Sequence, residues 1–324
     1  MIIAAADKLL PAFAELFNGI LEDGRDGLPY CHLAEGDFQR VFGGPGRANY
    51  YASENGRTVG FLSGSVPGEN GVSYLSYVGV VPEYRGRGIA SALLSRFERD
   101  MKEKYSAARI DTVFYDSSHL PWIIPGSGDG HPCAPGTPSG SAAEKLLLSR
   151  GYAEWTAQIS YYRRLCGYEA PEGLDEKRKR LRTEGIDITL YDPDVHRGLP
   201  ELFDAIRNPG WKAAVLSRLD RPVIVAADMN RQGLVVGYTG PLSVEREGSG
   251  LRGCFHGIGT HPDYRGRGIA TQIFCEMCRI HKASGADFMS LYTGETNPAR
   301  HVYEAAGLFP VARWSNLRLV LKDG

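Results

Sequence analysis

The chain carries the same six residues twice, because the run Arg-Gly-Arg-Gly-Ile-Ala occurs at Arg85–Ala90 and again at Arg265–Ala270. A proline, an acidic residue and a tyrosine precede both copies. The copies lie 180 residues apart in a chain of 324 residues, so the repeat predicts the duplication of a whole domain. Apolar residues then recur at helical spacing, which predicts a strand, a glycine-rich turn and an amphipathic helix in each half.

Both turns, which we call the first and second glycine loops, have the composition of an anion-binding site. Glycine has no side chain, so consecutive backbone N–H groups can converge on an anion at a helix start, where the helix dipole favours negative charge. The arginines add charge and planar donors. A glycine-rich helix start that binds nothing is the alternative. The residues assigned to anion binding are Arg85, Gly86, Arg87, Gly88, Ile89 and Ala90 in the first loop and Arg265, Gly266, Arg267, Gly268, Ile269 and Ala270 in the second.

The pattern Arg-x-x-Gly-x-Ala within each loop resembles the pyrophosphate-binding loop of the GCN5-related N-acetyltransferase (GNAT) superfamily. Neither loop has the Gly-Lys-Ser/Thr ending of a nucleotide P-loop or the Gly-x-Gly-x-x-Gly of a Rossmann turn. The resemblance implies two tandem GNAT-like domains that bind acetyl-CoA as cosubstrate, and it covers most of each half.

Strands interleaved with helices predict an α/β fold with a mixed α+β sheet in each half. We place an N-terminal domain at residues 1–168, a charged linker helix at 169–184 and a C-terminal domain at 185–324. The resemblance implies a mostly antiparallel sheet that splays open between its fourth and fifth strands, with acetyl-CoA in the opening. The fourth strand is expected at Tyr74–Val81 in the first half and at Phe255–His261 in the second.

Composition narrows the choice of partners. A net charge of −1 argues against nucleic acid or an anionic membrane surface, and no apolar run reaches the roughly 18 residues that a membrane span needs. Six cysteines without disulfide spacing suit the cytoplasm. Cys275 and Cys278 are expected to pack as hydrophobes in a helix, with no metal site. We expect a monomer or a homodimer.

The second half continues into a segment that resembles the fifth strand and fourth helix of the superfamily. The resemblance implies that Asn297 contacts the pantetheine arm of CoA and that Tyr303 stands near its sulfur, with Ile258, Thr260 and Arg300 also holding the cofactor. A tyrosine suits protonation of a leaving thiolate, because its pKa of about 10 lies above that of a thiol, about 8.5. The alternative is that Tyr303 is only an aromatic core residue.

The first half lacks these groups. Aligned on the glycine that follows the helix, Ser141 stands where the second half has Asn297, and Leu147 stands where it has Tyr303. Leucine cannot donate a proton. We therefore expect the first half to be catalytically degenerate, although its glycine loop and Val80 are still assigned to cofactor binding.

An insertion also distinguishes the first half. Arg85 and Ser141 are 56 residues apart, whereas Arg265 and Asn297 are 32 apart, so the first half is longer by about 24 residues. The extra segment, His119–Gly140, is rich in proline and glycine, which predicts a long loop. We interpret it as a solvated loop over a vacated acceptor site. A substrate lid, a metal site at His131 and Cys133, and an unusual acid that makes the first half the active one are the alternatives.

An amine must be neutral to attack a thioester, so a base or a water relay to one is needed. His256 is predicted on the fourth strand, on the same face as Ile258 and Thr260, where several superfamily members place a base. The first half has Ser76 there. A satisfied core histidine is the alternative, with Glu295 and His261 as further candidates for the base.

The sequence thus predicts an N-acetyltransferase whose second half transfers an acetyl group from acetyl-CoA to a primary amine, with Tyr303 as general acid and His256 as base. The acceptor is a small-molecule or peptide amine that the sequence does not identify. The second hypothesis is a sensor that binds acyl-CoA without turnover, for which a proton donor beside the sulfur is unnecessary.

Overall fold

The computed structural model describes residues 1–24, 27–113 and 119–321. The chain divides into two compact units, which we call unit 1 (Met1–Ser160 and Ala312–Gly324) and unit 2 (Tyr161–Val311). This division differs from the predicted domain limits, since unit 1 ends at Ser160 and takes up the C-terminal segment. The difference arises because a long strand ends each half of the chain, and each of these strands runs from one unit into the other.

Unit 1 is built on a sheet that begins with four antiparallel strands and continues with a parallel one. In chain order its elements are β1 (Ile2–Ala5), α1 (Pro11–Asp23), α2 (Glu35–Phe42), β2 (Arg47–Glu54), β3 (Arg57–Ser65), β4 (Val72–Val80), α3 (Ile89–Glu103), β5 (Arg109–Thr112), β6 (Trp122–Ile123), β7 (Gly130–His131), β8 (Thr137–Pro138), α4 (Ala142–Ser149) and β9 (Ala153–Arg164), which ends in unit 2. Strands β1 to β5 are neighbours in that order.

Unit 2 repeats this plan with two groups of strands. Its elements are α5 (Leu174–Thr183), β10 (Ile186–Leu190), α6 (Leu199–Ile206), α7 (Pro209–Leu216), β11 (Ile224–Asp228), β12 (Leu234–Thr239), β13 (Ser243–Glu247), β14 (Gly250–Cys254), β15 (Ile258–Thr260), α8 (Ile269–Ala283), β16 (Phe288–Gly294), α9 (Arg300–Ala305) and β17 (Phe309–Val320), which ends in unit 1. Strands β10, β11, β12 and β15 form one antiparallel group. Strand β14 pairs antiparallel with β13 and parallel with β16.

The fourth strand is continuous in the first half and broken in the second. The predicted strand Phe255–His261 is in fact β15, separated from β14 by a bend at residues 255–257. The break follows from Gly257, whose φ is +82° and where an added Cβ would lie 2.7 Å from the Trp211 ring on α7. Backbone in this left-handed region cannot continue a strand.

The two loop helices, α3 and α8, bury the same face. Leu93, Leu94 and Phe97 of α3 are fully buried, as are the corresponding residues of α8. Cys275 and Cys278 are also fully buried on α8, and burial raises the pKa of both thiols. The predictions of a duplicated strand–loop–helix unit and of cysteines that pack as hydrophobes are confirmed.

The insertion is not a solvated loop, and that prediction was wrong. Its Trp122 is fully buried and packs edge-on against Trp314, with 4.9 Å between ring centroids. Strand β8 pairs with β17 through Thr137 and Pro138. Strand β5 pairs with a later part of β17. Most of the insertion therefore lies between two segments, β5 and β8, that pair with the same strand. Proline and glycine content alone could not reveal this buried anchor.

We expect Gly136→Ala to destabilise unit 1, because an added Cβ would lie 2.9 Å from the carbonyl oxygen of Ser315 and 3.1 Å from Cβ of Trp314. Overpacking of this kind costs about 1 to 3 kcal/mol, so the thermal midpoint should fall by several degrees. Gly36→Ala is the control, since space around that helical glycine is open and alanine favours helix. An unchanged midpoint for Gly136→Ala would show that the insertion is loosely held.

Candidate functional site

The two glycine loops have the same backbone. A short 3-10 helix, at Pro82–Tyr84 or Pro262–Tyr264, precedes each loop. Gly86 and Gly88 have φ values of +73° and +77°, and the equivalent glycines of the second loop have +78° and +81°. The last glycine of each loop is the N-cap of a helix of 15 residues. Only glycine adopts these left-handed angles routinely, so the repeated glycines fix the path of the loop.

This backbone presents donors to an anion. The first N–H groups of an α-helix have no partner within the helix, and α3 and α8 each begin directly after a loop. An added Cβ on Gly86, Gly88, Gly266 or Gly268 would meet no atom within 4 Å. Among the described residues, no protein atom therefore crowds the side-chain position of these glycines, which favours close approach of a phosphate to the loop backbone.

The arginines of the two loops differ in their partners. Arg85 lies 3.6 Å from the carboxylate of Asp23 at the end of α1 and donates to the carbonyl oxygen of Val80 at 3.0 Å. Arg265 donates to the carbonyl oxygen of Thr260 at 3.4 Å, and it has no carboxylate partner within the part of the chain that the structure describes. The Arg265 guanidinium of the second loop is thus available to balance the charge of a bound anion.

Arg87 and Arg267 have equivalent surroundings. Arg87 lies over the ring of Tyr84 and 3.5 Å from Glu54. Arg267 lies over the ring of Tyr264 and 3.8 Å from Glu184. A tyrosine ring and a carboxylate hold each of these side chains beside its loop. Their main role is therefore to support the loop, since a carboxylate already balances their charge.

Tyr303 lies on α9 with its side chain buried. Its ring is 5.0 Å from Phe274 of α8 and 6.0 Å from Tyr161, measured between centroids. Among the described residues its hydroxyl has no hydrogen-bond partner. Burial, and then the neighbouring Tyr161, raise the pKa of Tyr303 to about 12, so the hydroxyl stays protonated. The hydroxyl can therefore donate to a bound ligand.

Asn297 and Arg300 flank the start of α9. The side-chain oxygen of Asn297 accepts from the N–H of Ala299 at 3.0 Å, so it acts as a local cap. Ser141 caps α4 in the same way by accepting from Glu144. The guanidinium of Arg300 donates to the Glu295 carbonyl oxygen at 3.1 Å.

The predicted strand position of His256 was wrong, because His256 lies exposed in the bend between β14 and β15. Partial loss of water around the ring, and then the charge of Arg218, lower the pKa of His256 below its usual value, although the residue as a whole is exposed. Ile258 and Thr260 do lie on β15, and the Thr260 hydroxyl is buried without a partner among the described residues. His261 contacts Asp263 at 3.8 Å.

A cavity of about 150 Å³ lies within unit 1, which the sequence did not predict. Val80, Arg85 and Ala90 line it on the side of the first glycine loop, together with Ser76 of β4 and Leu147 of α4. Leu147 thus lines a cavity at the position where the second half has Tyr303. The sequence carried no signal for the size of this cavity, because enclosure depends on packing among distant segments.

No group of three or more histidine, cysteine or acidic side chains suitable for a metal ion occurs among the described residues, and the metal alternative for His131 and Cys133 is not supported. His131 instead contacts the Cys133 carbonyl oxygen through Nδ1 at 3.0 Å. Within the same described ranges, no helix is both long and apolar enough to cross a membrane.

Comparison with known proteins gives matches in both halves. A model of the acetyltransferase (GNAT) family matches residues 13–119 and 192–308. Acetyltransferases of Pectobacterium atrosepticum and Sodalis glossinidius are 48% identical over 50 residues and 50% identical over 46 residues. These segments cover 15% and 14% of this chain and 34% and 31% of the relatives. The matches thus span about a third of the length of those relatives.

Two solved structures resemble the chain over nearly its full length. A GCN5-related N-acetyltransferase from Sphaerobacter thermophilus has a TM-score of 0.65 at 18% identity and covers 99% of this chain and 96% of its own. A tandem GNAT protein from the clavulanic acid biosynthesis pathway has a TM-score of 0.62 at 14% identity and covers 100% of both chains. At sequence identities this low, the structural similarity shows that this chain shares the fold of these proteins.

Proposed function

Because the chain belongs to the acetyltransferase (GNAT) family, we propose that it is an N-acetyltransferase that transfers the acetyl group of acetyl-CoA to a primary amine. The transfer takes place in the second half, with Tyr303 as general acid. The single observation that carries this proposal is the buried Tyr303 side chain, whose hydroxyl has no hydrogen-bond partner among the described residues and keeps its proton because its pKa is raised to about 12. The acceptor is a small-molecule or peptide amine.

The residues around the second loop fit acetyl-CoA. The amides of Gly266 to Ala270 and the Arg265 guanidinium hold the pyrophosphate at the start of α8. Ile258 and the Thr260 hydroxyl of β15, which is buried without a partner among the described residues, would hold the pantetheine arm. The amide nitrogen of Asn297 would donate to it, because the side-chain oxygen is already engaged. When bound, acetyl-CoA supplies an activated thioester.

Two side chains carry out the proton transfers of the reaction. Tyr303 donates to the sulfur as charge develops there, which stabilises the transition state more than the ground state. His256 accepts the proton of the attacking amine, directly or through water. Its exposed position allows access to an acceptor in solution, and its lowered pKa keeps it neutral at neutral pH.

We expect kcat/KM to show an acidic limb whose midpoint lies below pH 6.5, since the base works only when neutral and its pKa is lowered. His256→Gln should remove that limb and reduce kcat/KM by about ten- to a hundred-fold near pH 7. The measurement is a pH–rate profile of both proteins. Superimposable profiles would exclude His256 and leave Glu295 and His261 as candidates.

A panel of primary amines tests the function directly. Release of CoA is followed by a thiol assay, and mass spectrometry identifies an acetylated product. Turnover of at least one amine, lost on removal of acetyl-CoA, is expected. Tight CoA binding with no release across amino acids, amino sugars, polyamines and peptides would identify the protein instead as an acyl-CoA sensor.

A further inference from the structure

Two tyrosines, Tyr30 and Tyr77, line the cavity of unit 1 beside the first glycine loop. Arg85 and Ala90 of the loop line it, and so does Tyr30, which lies between α1 and α2. Leu147, which aligns with Tyr303, lines it as well. The half that lacks the expected tyrosine therefore has a different tyrosine on the same cavity.

The Tyr30 hydroxyl is poised to donate. Tyr30 is 8% exposed, and within residues 1–24, 27–113 and 119–321 its hydroxyl has no hydrogen-bond partner. Its ring packs edge-on against Tyr77, with 6.2 Å between centroids. Burial raises the pKa of Tyr30 above its usual value, so the proton stays on the oxygen. The hydroxyl can therefore donate to a ligand in the cavity.

The insertion holds Tyr30 in this position. Tyr30 pairs with Trp122 of β6 in an antiparallel bridge. On either side, the Cys31 amide donates to the Pro121 carbonyl oxygen at 3.0 Å and the Ile123 amide donates to that of Pro29 at 2.6 Å. Trp122 is in turn buried against Trp314. The insertion thus acts as a rigid support that fixes the Tyr30 backbone.

We infer that unit 1 contains a second centre that cleaves acyl-CoA thioesters, in which Tyr30 replaces the missing tyrosine as proton donor to the sulfur. The nitrogen of a neutral nucleophile forms a bond to the thioester carbon, and the C–S bond breaks with its electron pair on sulfur. The Tyr30 proton moves to the sulfur, which leaves as the CoA thiol. The proton released by the nitrogen returns to Tyr30 through water, so no oxidant or reductant is needed.

Other hydroxyl groups of the cavity are weaker choices. Tyr77 lies on β4 with its ring packed against those of Phe17 and Phe42, so it belongs to the aromatic core of unit 1. The Ser76 hydroxyl accepts from Arg47 at 2.8 Å, so it is already engaged. Thr137 also lines the cavity, but an aliphatic hydroxyl is a poorer acid than a phenol. The inference rests on the proposed function in that the chain uses acetyl-CoA, and it adds that the loop of unit 1 also holds CoA. It gives the first half a role other than the degenerate one expected from Leu147.

The test uses hydroxylamine, a small nucleophile that is neutral at pH 7 and needs no acceptor pocket. CoA release from acetyl-CoA is measured for the full chain, for Tyr303→Phe, and for Tyr303→Phe combined with Tyr30→Phe. We expect Tyr303→Phe to retain release above the buffer rate and the added Tyr30→Phe to lower that remainder at least tenfold. Tyr152→Phe in the same background is the control, because Tyr152 is buried in unit 1 but does not line the cavity.

A second readout needs no turnover. In a Gly268→Val background, which closes the second loop, calorimetry compares CoA affinity at pH 7 and pH 9. A thiolate forms near pH 8.5, and a hydroxyl bonds it more strongly than the thiol. Tyr30→Phe should therefore weaken CoA binding about tenfold at pH 9 and little at pH 7.

The outcomes separate the two proposals. Equal CoA release with and without Tyr30→Phe, or no release above buffer in Tyr303→Phe, overturns the second centre. A loss of CoA release with Thr137→Val or Tyr77→Phe in the Tyr303→Phe background, in place of a loss with Tyr30→Phe, also overturns it as stated and moves the donor to that residue. If Tyr303→Phe has no effect on CoA release while the added Tyr30→Phe removes all of it, the second centre stands. The assignment of catalysis to the second half then fails.

Discussion

Replacing Tyr303 by phenylalanine is expected to lower turnover by about ten- to a thousand-fold while leaving the affinity for CoA nearly unchanged. The lost hydroxyl acts on charge that develops on sulfur only as the thioester breaks, so the ground-state complex hardly depends on it. The ring itself stays, and its packing against Phe274 and Tyr161 is preserved. Steady-state rates with an amine found by the panel, together with calorimetry, measure both quantities.

Tyr161→Phe is the matched control for this change. Its ring neighbours that of Tyr303, but its hydroxyl already donates to Glu304 at 2.9 Å, so its removal should alter turnover by less than about threefold. Because the pKa of Tyr303 is raised to about 12, this hydroxyl should produce no basic limb in the pH–rate profile below that pH. Equal turnover of wild-type protein and Tyr303→Phe would return Tyr303 to the role of a core residue.

The parts of the fold that sequence predicts are those set by local chemistry. The fourth strand of the first half, expected at Tyr74–Val81, is β4 at Val72–Val80, because turn residues and apolar spacing bound it. The glycine loops follow from backbone angles that only glycine adopts readily. The break before β15 was missed, since it depends on the approach of Trp211 to Gly257, which are far apart in sequence.

Contacts between residues far apart in the chain also explain which features of the first half could not be predicted from the sequence. The insertion was interpreted as a solvated loop because proline and glycine dominate it, yet Trp122 anchors it by meeting Trp314 almost two hundred residues later in the chain. Tyr30 has no motif around it, and its importance arises only from the cavity that encloses it. Asp23 likewise gave no signal, although it neutralises Arg85.

The two glycine loops differ in charge balance even though their backbones agree. Arg85 is paired with Asp23, whereas Arg265 has no carboxylate partner among the described residues, so a pyrophosphate gains more from the second guanidinium than from the first. The second half also provides Tyr303 and Asn297. Amine acetylation should therefore depend mainly on the second loop.

Gly268→Val is accordingly expected to reduce amine acetylation at least about a hundred-fold and to remove one CoA site, whereas Gly88→Val should leave most of that activity. Valine strongly resists the φ of +81° at Gly268, so the loop amides turn away from the anion and binding is lost before any chemistry. Gly285→Val and Gly151→Val are the controls, since these glycines have φ values of +83° and +89° in open space outside the loops. They impose the same backbone strain, of order 1 to 2 kcal/mol, without touching an anion site. Full activity in Gly268→Val together with its loss in Gly88→Val would move amine acetylation to the first half, where Tyr30 is the available acid.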